Sequence, residues 1–564
     1  MYVDDFLICY SSPSVIEIER QLQLSINKLE EWTLHNGFTI SKQKTVAMHF
    51  CHLHRKHCDP SLKLGDQEIA FVKETKFLGL IWDTKLTFLP HILSLKKKCM
   101  KAMNIIKVLA HTNWGADQCT LLHLYRSLIR SKLDYGCIVY GSAKESYIKQ
   151  LDPVHNGALR LCLGAFRSSP ADSMCVEANE PPLNYRRKKL ALQYGVKLKA
   201  NPNNPAHGPV FKPLFEDDFK EKPSFTPSFG IRFHQLLMES DIDISNILVN
   251  KIPDVPNWDS VEPNVFLSLS QYCKGYTLPQ QYKEEYNIIK AHFSDFSPIY
   301  TDGSKQDDKV ASAYVCKAGK SGIRLPDGSS IFTAEAKAVV RSLTYVRFSR
   351  LKKFIIYSDS LSLLESIQTL DSKNPLVCLI YKLLNIIDSL GKEVVFCWVP
   401  SHCGILGNEL VDKEAKLALS KEITPMPIPV SDFLPLIKQF IVNSWQQYWD
   451  EQLLNKLHSI KPKLSPPSRS LPSRKEQIVI NTLKLGHTRL THSFLMDKSP
   501  IPVCTFCNNA NEILTVKHIL LHCPTFNRIR SNYWTVQDMK SLFELVIPAK
   551  IVDFLKDCDL FEYL

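Results

Sequence analysis

A chain of 564 residues is longer than one hydrophobic core organises, so two to four domains are expected. Its 45% hydrophobic and 22% charged residues are ordinary for folded globular protein and exclude a disordered or fibrous chain. Lys and Arg number 69 against 57 Asp and Glu, and the resulting +12 fits a nucleic-acid partner without requiring one.

The 17 cysteines are odd in number and scattered, and Asp4 and Asp5 interrupt the apolar segment Met1–Tyr10, which no secretion signal tolerates. No stretch reaches the apolar length of a membrane span. The expectation is an intracellular protein without a membrane partner, with nucleus and cytoplasm both open. Its thiols are reduced, and any clustered Cys and His form a metal site.

Residues 1–200 mix strand-like runs (Tyr2–Cys9, Phe71–Trp82) with helical patterns at Ile16–Asn36, Ile92–Ala110 and Thr120–Leu133. Lys96, Lys97, Lys98 and Lys101 fall on the second helix, either gripping a nucleic-acid backbone or forming a solvated face. Cys51, His54, His57 and Cys58 are too crowded for a standard zinc pattern and read as a loop between two strands. From Asn201-Pro202-Asn203-Asn204-Pro205, with further prolines at 209, 213, 223 and 227, residues 201–296 read as a Pro-rich linker and a loosely structured segment.

Residues 297–421 alternate β-rich and helical patterns. Ser297–Ser304 reads as an apolar strand ending in Asp302 and a glycine turn, and Val310–Cys316 and Ser330–Thr333 as further strands around an Asp327-Gly328 hairpin turn. A helix is predicted from Ala334 with Glu335 in its first turn. Phe354–Tyr357 reads as a strand buried on both faces, ending at Asp359, and Val394–Val399 as a last strand before His402 and a helix carrying Asp412. The ends of elements in an open α/β sheet are where its chemistry gathers. Asp302, Glu335, Asp359 and Asp412 supply hard oxygen donors of the kind Mg²⁺ requires. Taken singly, each acid is equally a helix cap or turn residue. An imidazole as a class can pass a proton near neutral pH, which suits His402 in its Pro- and Gly-flanked loop to proton transfer, while the plainer alternative is an exposed loop histidine.

Tyr300-Thr301-Asp302-Gly303-Ser304, Thr333-Ala334-Glu335-Ala336, Tyr357-Ser358-Asp359-Ser360 and the run Trp398–Asp412 together resemble the motifs of type 1 ribonuclease H over about 120 residues. The resemblance implies that Asp302, Glu335, Asp359 and Asp412 hold two Mg²⁺ (or Mn²⁺) ions and that His402 is the mobile-loop histidine. It also implies hydrolysis of the RNA strand of an RNA–DNA hybrid, and a mixed five-stranded α/β sheet with flanking helices.

Tyr2-Val3-Asp4-Asp5 pairs two carboxylates at a turn between apolar runs. With Asn36–Ser41, Phe77–Leu80, Trp82, His91, Leu133–Gly136 and Gly164–Pro170, it resembles the later palm and the thumb of non-LTR retrotransposon reverse transcriptases. The chain as given opens at that segment, so the expectation is that Asp4 and Asp5 lack the earlier palm acid and that the chain does not synthesise DNA.

Cys504-x₂-Cys507-x₁₀-His518-x₄-Cys523 supplies three thiolates and one imidazole, enough for a structural Zn²⁺, with His522 as an alternative ligand. The order of parts resembles the C-terminal portion of an I- or jockey-like polyprotein. It implies a palm remnant at 1–90, a thumb-like helical region at 91–200, the linker at 201–296 and the nuclease at 297–421. Residues 422–564 then carry the Cys/His segment at about 500–530. The palm and thumb are expected to be α+β and mostly helical. Two rivals stay open: a non-catalytic binding remnant, and a DNA-cutting enzyme of the same fold.

Overall fold

A computed structural model describes residues 5–51, 58–214, 217, 227–250, 255–272, 276–466, 471, 473–507 and 512–564. The chain divides into two compact units, one built from Met1–Leu190, Lys222–Pro227 and Ser444–Leu564, the other from Ala191–Glu221 and Ser228–Asn443.

The first unit is mainly helical. Helix Val15–His35 begins at Ser14, whose side chain accepts from Glu17 N. A hairpin pairs Glu74–Phe77 with Leu80–Asp83 across Leu78 and Gly79, both at positive φ. Helix Leu89–Leu109 buries Ile92, Leu95, Cys99, Met103 and Ile106 at helical spacing. They join Leu121, Tyr125, Leu159 and Cys162 in a core that also contains Trp445, Trp449, Leu457, Ile460 and Leu485. This unit therefore crosses the expected order of parts, because the C-terminal segment supplies part of the core of the N-terminal helices. The reason is specific polar docking. Arg474 Nη1 donates to Cys162 O at 2.8 Å, Asn481 Nδ2 to Leu163 O at 2.9 Å, and Gln118 N to Gln477 Oε1 at 2.9 Å. The ammonium of Lys484 lies 3.1 Å from the buried carboxylate of Glu177, with Lys461 at 3.6 Å.

The second unit is a mixed sheet with helices on it. Its strands are β1 (Asn264–Phe266), β2 (Ser297–Gln306), β3 (Lys309–Cys316), β4 (Gly319–Leu325), β5 (Lys353–Ser358) and β6 (Glu393–Trp398). The spatial order is β4-β3-β2-β5-β6-β1, antiparallel among β4, β3 and β2 and parallel from β2 to β1. The unit's helices include α1 (Pro279–His292), α2 (Ile331–Phe348), α3 (Leu361–Gln368), α4 (Pro375–Ser389) and α5 (Leu406–Ala418). Phe354, Ile355, Ile356 and Tyr357 are all buried, as a central parallel strand covered on both faces requires.

Four expectations are corrected here. The sheet has six strands, not five: β1 pairs in parallel with β6, and Tyr286 and Ile289 of α1 enter the core, so residues 264–292 belong to the folded unit and not to a linker. Ser330–Thr333 is not a strand. Ser330 caps α2 by accepting from Thr333 N, and Asp432 receives Ser330 N at 3.0 Å and its hydroxyl at 2.9 Å, which fixes the helix start. The hairpin turn lies between Cys316 and Gly319, while Asp327-Gly328 joins β4 to α2. Finally, β2 does not end at Asp302 but continues to Gln306, because β3 pairs with it past the point where β5 stops. Of the strand expected at Tyr2–Cys9, residues 2–4 lie outside the described residues and Phe6–Cys9 are not in a strand.

Candidate active site and metal centre

The last pairing of β5 with β2 sets Ser358 against Thr301. Each chain's next residue is an acid, so Asp302 and Asp359 emerge side by side where the parallel pair ends. Glu335 reaches them from the second turn of α2. This approach requires a glycine: a Cβ on Gly303 would lie 2.8 Å from Ala334 Cβ and 2.9 Å from Glu335 N. Carboxylate oxygens of Asp302, Glu335 and Asp359 all lie within 4.8 Å of one another.

Helix α5 brings a second group, in which His402, Glu409 and Asp412 also offer ligand atoms within 4.8 Å of one another. The helix seats closely at Gly407, where a Cβ would fall 2.2 Å from the Tyr300 ring. Tyr300 is held in turn by stacking on Tyr357 at 5.0 Å and by a 2.6 Å hydroxyl contact with Tyr286. Both groups line one cavity of about 250 Å³, together with Gly303, Ser401 and Asn408. The acids expected as a set of four are thus arranged as three plus one. Asp412 sits with Glu409 and His402 and is bound by Lys416 Nζ at 2.8 Å.

The electrostatics are those of crowded, buried anions. Burial, then the charges of Asp359 and Asp412, push the Asp302 carboxyl up to about 8. Burial, then the charges of Asp302 and Asp359, raise Glu335 well above the carboxylate range. Asp359 is raised by burial and held back by a hydrogen bond from Asn408. Glu335 Oε2 and Asn408 Oδ1 are buried with no hydrogen-bond partner among the described residues. Oxygen donors that repel one another and leave buried lone pairs unsatisfied fit a hard divalent cation, which would offset both costs. The Asp359 carbonyl accepts from Trp398 Nε1 at 3.1 Å, which fixes the end of β5.

His402 is exposed and takes φ +58, a left-handed conformation uncommon for a non-glycine residue, with Gly404 at φ +75. Glu409 Oε1 accepts from Gly404 N at 3.4 Å, tying the loop to the start of α5. Ser401 and Lys416 were not singled out in the sequence, and Gly303 only as a turn residue. Only Lys416 left a readable signal, its i+4 spacing from Asp412.

The other expected sites are distributed as follows. Asp4, His54 and His57 lie outside the described residues, while Asp5 and Cys58 are exposed. Lys97, Lys98 and Lys101 project to solvent from helix Leu89–Leu109 and Lys96 is half-buried.

The cysteine–histidine set does converge. Cys504, Cys507, His518 and Cys523 place their ligand atoms within 4.8 Å of one another, with Cys504 Sγ 4.0 Å from Cys523 Sγ and Cys507 Sγ 3.6 Å from His518 Nε2. Sulfur atoms each about 2.3 Å from a tetrahedral Zn²⁺ would stand at about this separation. Glu512 Oε1 lies 3.5 Å from His518 Nδ1 and suits the role of orienting the imidazole. The alternative ligand His522 is exposed and outside the set. Burial raises the Cys504 thiol to about 11, so a metal would have to displace its proton. Among the described residues no helix is long and apolar enough to cross a membrane.

No family model matches the chain. It is 25% identical over 204 residues to the RNA-directed DNA polymerase from mobile element jockey of Drosophila melanogaster, covering 36% of this chain and 22% of that one. It is 24% identical over 198 residues to a putative 115 kDa protein in the type-1 retrotransposable element R1DM of the same species, covering 35% and 19%. A Pol polyprotein from the type-1 element R1 of Nasonia vitripennis is 23% identical over 181 residues, covering 31% and 54%. The chain thus spans less than a quarter of the first two relatives and about half of the third. On these matches, which fall in its N-terminal portion, the chain is a homologue of the reverse transcriptase and Pol polyproteins of jockey, R1 and X-element non-LTR retrotransposons.

Proposed function

We propose that the sheet unit is a ribonuclease H, hydrolysing the RNA strand of an RNA–DNA hybrid with two divalent cations, Mg²⁺ or Mn²⁺. The observation that carries the reading is convergence. Four acids and a histidine, separated by up to 110 residues from Asp302 to Asp412, line one small cavity with unsatisfied buried oxygens. In this reading Asp302, Glu335 and Asp359 hold the metals, Asp412 contributes from α5, and Asn408 orients Asp359. Two ions about 4 Å apart would supply activation of water and stabilisation of the leaving 3′ oxygen. His402, exposed in its loop, exchanges a proton with solvent or the leaving group. The products are 5′-phosphate and 3′-hydroxyl ends. Recognition of RNA rests on its 2′-hydroxyl.

The partners of this reading are element RNA and its cDNA. The homologous proteins, named as RNA-directed DNA polymerases, make such a hybrid an expected intermediate. The test is cleavage of a labelled hybrid, with the parent chain compared against Asp302→Asn. Hybrid-specific cleavage lost in the variant supports the proposal. Cleavage of duplex DNA instead would move the assignment to a DNA-cutting enzyme, and no cleavage by folded, Mg²⁺-supplied protein would leave a binding remnant.

The convergent cysteine–histidine set favours a second, structural role. Cys504, Cys507, His518 and Cys523 would hold one Zn²⁺ and pin the surrounding core of Leu514, Ile519, Phe526 and Phe554.

A further inference from the structure

Between Glu335 and Asp359 the sequence carries six basic residues (Lys337, Arg341, Arg347, Arg350, Lys352 and Lys353) and no acid. Most of this run is the C-terminal end of α2 and the turn into β5. There the surface opens into a groove of about 500 Å³ lined by Tyr314, Arg341, Thr344, Tyr345, Phe348 and Ser349. It lies at the other end of α2 from Glu335, thirteen residues and therefore about 20 Å along the helix.

The groove is built to hold flat rings. Tyr314 and Tyr345 sit 6.2 Å apart, and the Arg341 guanidinium lies 5.3 Å over the Tyr314 ring while donating to Ser312 O and to Ser321. Phe348 is 76% exposed at the rim, with the Arg347 guanidinium 5.3 Å from its ring and Leu351 exposed beside it. The helix end that presents Phe348 is fixed. Lys392 Nζ donates to the carbonyls of Val346, Arg347 and Ser349 at 2.9, 2.8 and 2.6 Å, satisfying groups that a helix C-terminus otherwise leaves open. Lys353 is neutralised by Asp295 at 2.7 Å, whereas Arg347, Arg350 and Lys352 are exposed and make no ion pair among the described residues.

The exposed ring of Phe348 and the half-buried rings of Tyr345 and Tyr314, beside unneutralised cations, are complementary to unpaired bases on a phosphate backbone. A duplex does not meet this description, since its base faces are hidden in the stack. A neutral peptide would leave the cations without partners. We propose that this groove binds a single-stranded nucleic acid, its bases stacked on Phe348, Tyr345 and Tyr314 and its phosphates on Arg347, Arg350 and Lys352. The site would hold an unpaired stretch running on from a hybrid seated at the acids. It rests on the nucleic-acid reading of this unit, not on cleavage.

The test uses the full chain in EDTA, with a fluorescein-labelled 20-nucleotide oligo-dU carrying 5-iodouracil. Binding is followed by anisotropy and photo-crosslinks are mapped by mass spectrometry. Crosslinks at Tyr314, Tyr345 or Phe348 are expected. Phe348→Ala should abolish that crosslink and weaken binding roughly tenfold, while Phe348→Tyr retains both. Changing Arg347, Arg350 and Lys352 together to Ala should flatten the plot of log affinity against log salt by about 2. Crosslinks confined to other parts of the chain, with unchanged binding by the variants, would overturn the proposal. The two readings separate cleanly: a blunt hybrid still cut when the groove shows no crosslink removes the groove alone, and crosslinking without cleavage removes the nuclease alone.

Discussion

Asp302→Asn should stabilise the sheet unit when metal is absent and deprive it of stabilisation when Mg²⁺ is present. The folded carboxyl titrates near 8 against an ordinary 3.8. A raised carboxyl means the native state keeps a proton that the unfolded chain gives up above about pH 4. Stability is therefore greatest below that pH and falls progressively until pH 8. At about 1.4 kcal/mol per pH unit the ceiling over this window is about 6 kcal/mol. Glu335 and Asp359 share the repulsion and redistribute the protons, so roughly half, about 3 kcal/mol, is assigned to this one carboxylate. For a unit of about 250 residues, that corresponds to a gain of about 6–12 °C in Tm. The assay is a set of melts in EDTA from pH 5 to 8, with hydrogen exchange in β2 and α2 peptides reporting this unit separately. The gain should grow with pH and vanish near pH 4. In Mg²⁺ the parent should rise by about 1.4 kcal/mol at ten times its Kd, and the variant should not. A variant no more stable than the parent at pH 8 in EDTA would refute the picture of mutually repelling, buried acids.

Gly407→Ala should cost about 1–3 kcal/mol by driving a methyl into Tyr300, and should lower hybrid cleavage by displacing Asp412. Stability and cleavage equal to the parent would mean that α5 is not seated as described. The first unit should respond to pH in the opposite sense to the metal-free sheet unit. Burial holds His155 near 3 against 6.5, and its Nδ1 lies 2.6 Å from the Tyr125 hydroxyl. Its contribution is complete above pH 6.5 and is lost at up to about 1.4 kcal/mol per unit as pH falls toward 3. His487 (near 3) and His492 (near 4) act in the same sense. His155→Gln should flatten this slope in denaturant titrations from pH 7 to 4.5, and an unchanged slope would count against it. Cys504→Ser should lower bound zinc measured by atomic absorption and speed exchange at Ile519 and Phe554. Equal metal content in parent and variant would remove the zinc centre.

What the sequence determined by itself was local chemistry. Asp302, Glu335, Asp359, Asp412 and His402 were readable as candidates because each stands beside a distinctive apolar run or turn, and Cys504, Cys507, His518 and Cys523 because Cys and His spacing is a property of the chain. Helices Val15–His35 and Leu89–Leu109 showed their 3.6-residue period directly. Other features depended on partners distant in sequence. Ser330 read as a strand residue until Asp432, 102 positions on, fixed it as a helix cap. The extent of β2 was set by β3, and the sixth strand by pairing of Asn264–Phe266 with β6 across some 130 residues. The three-plus-one grouping of the acids followed from how closely Gly407 lets α5 approach Tyr300. The joining of residues 444–564 to the N-terminal helices followed from hydrogen bonds to the Cys162 and Leu163 carbonyls. Backbone pairing and close packing are decided between segments, and a single segment carries no record of its partner's distance.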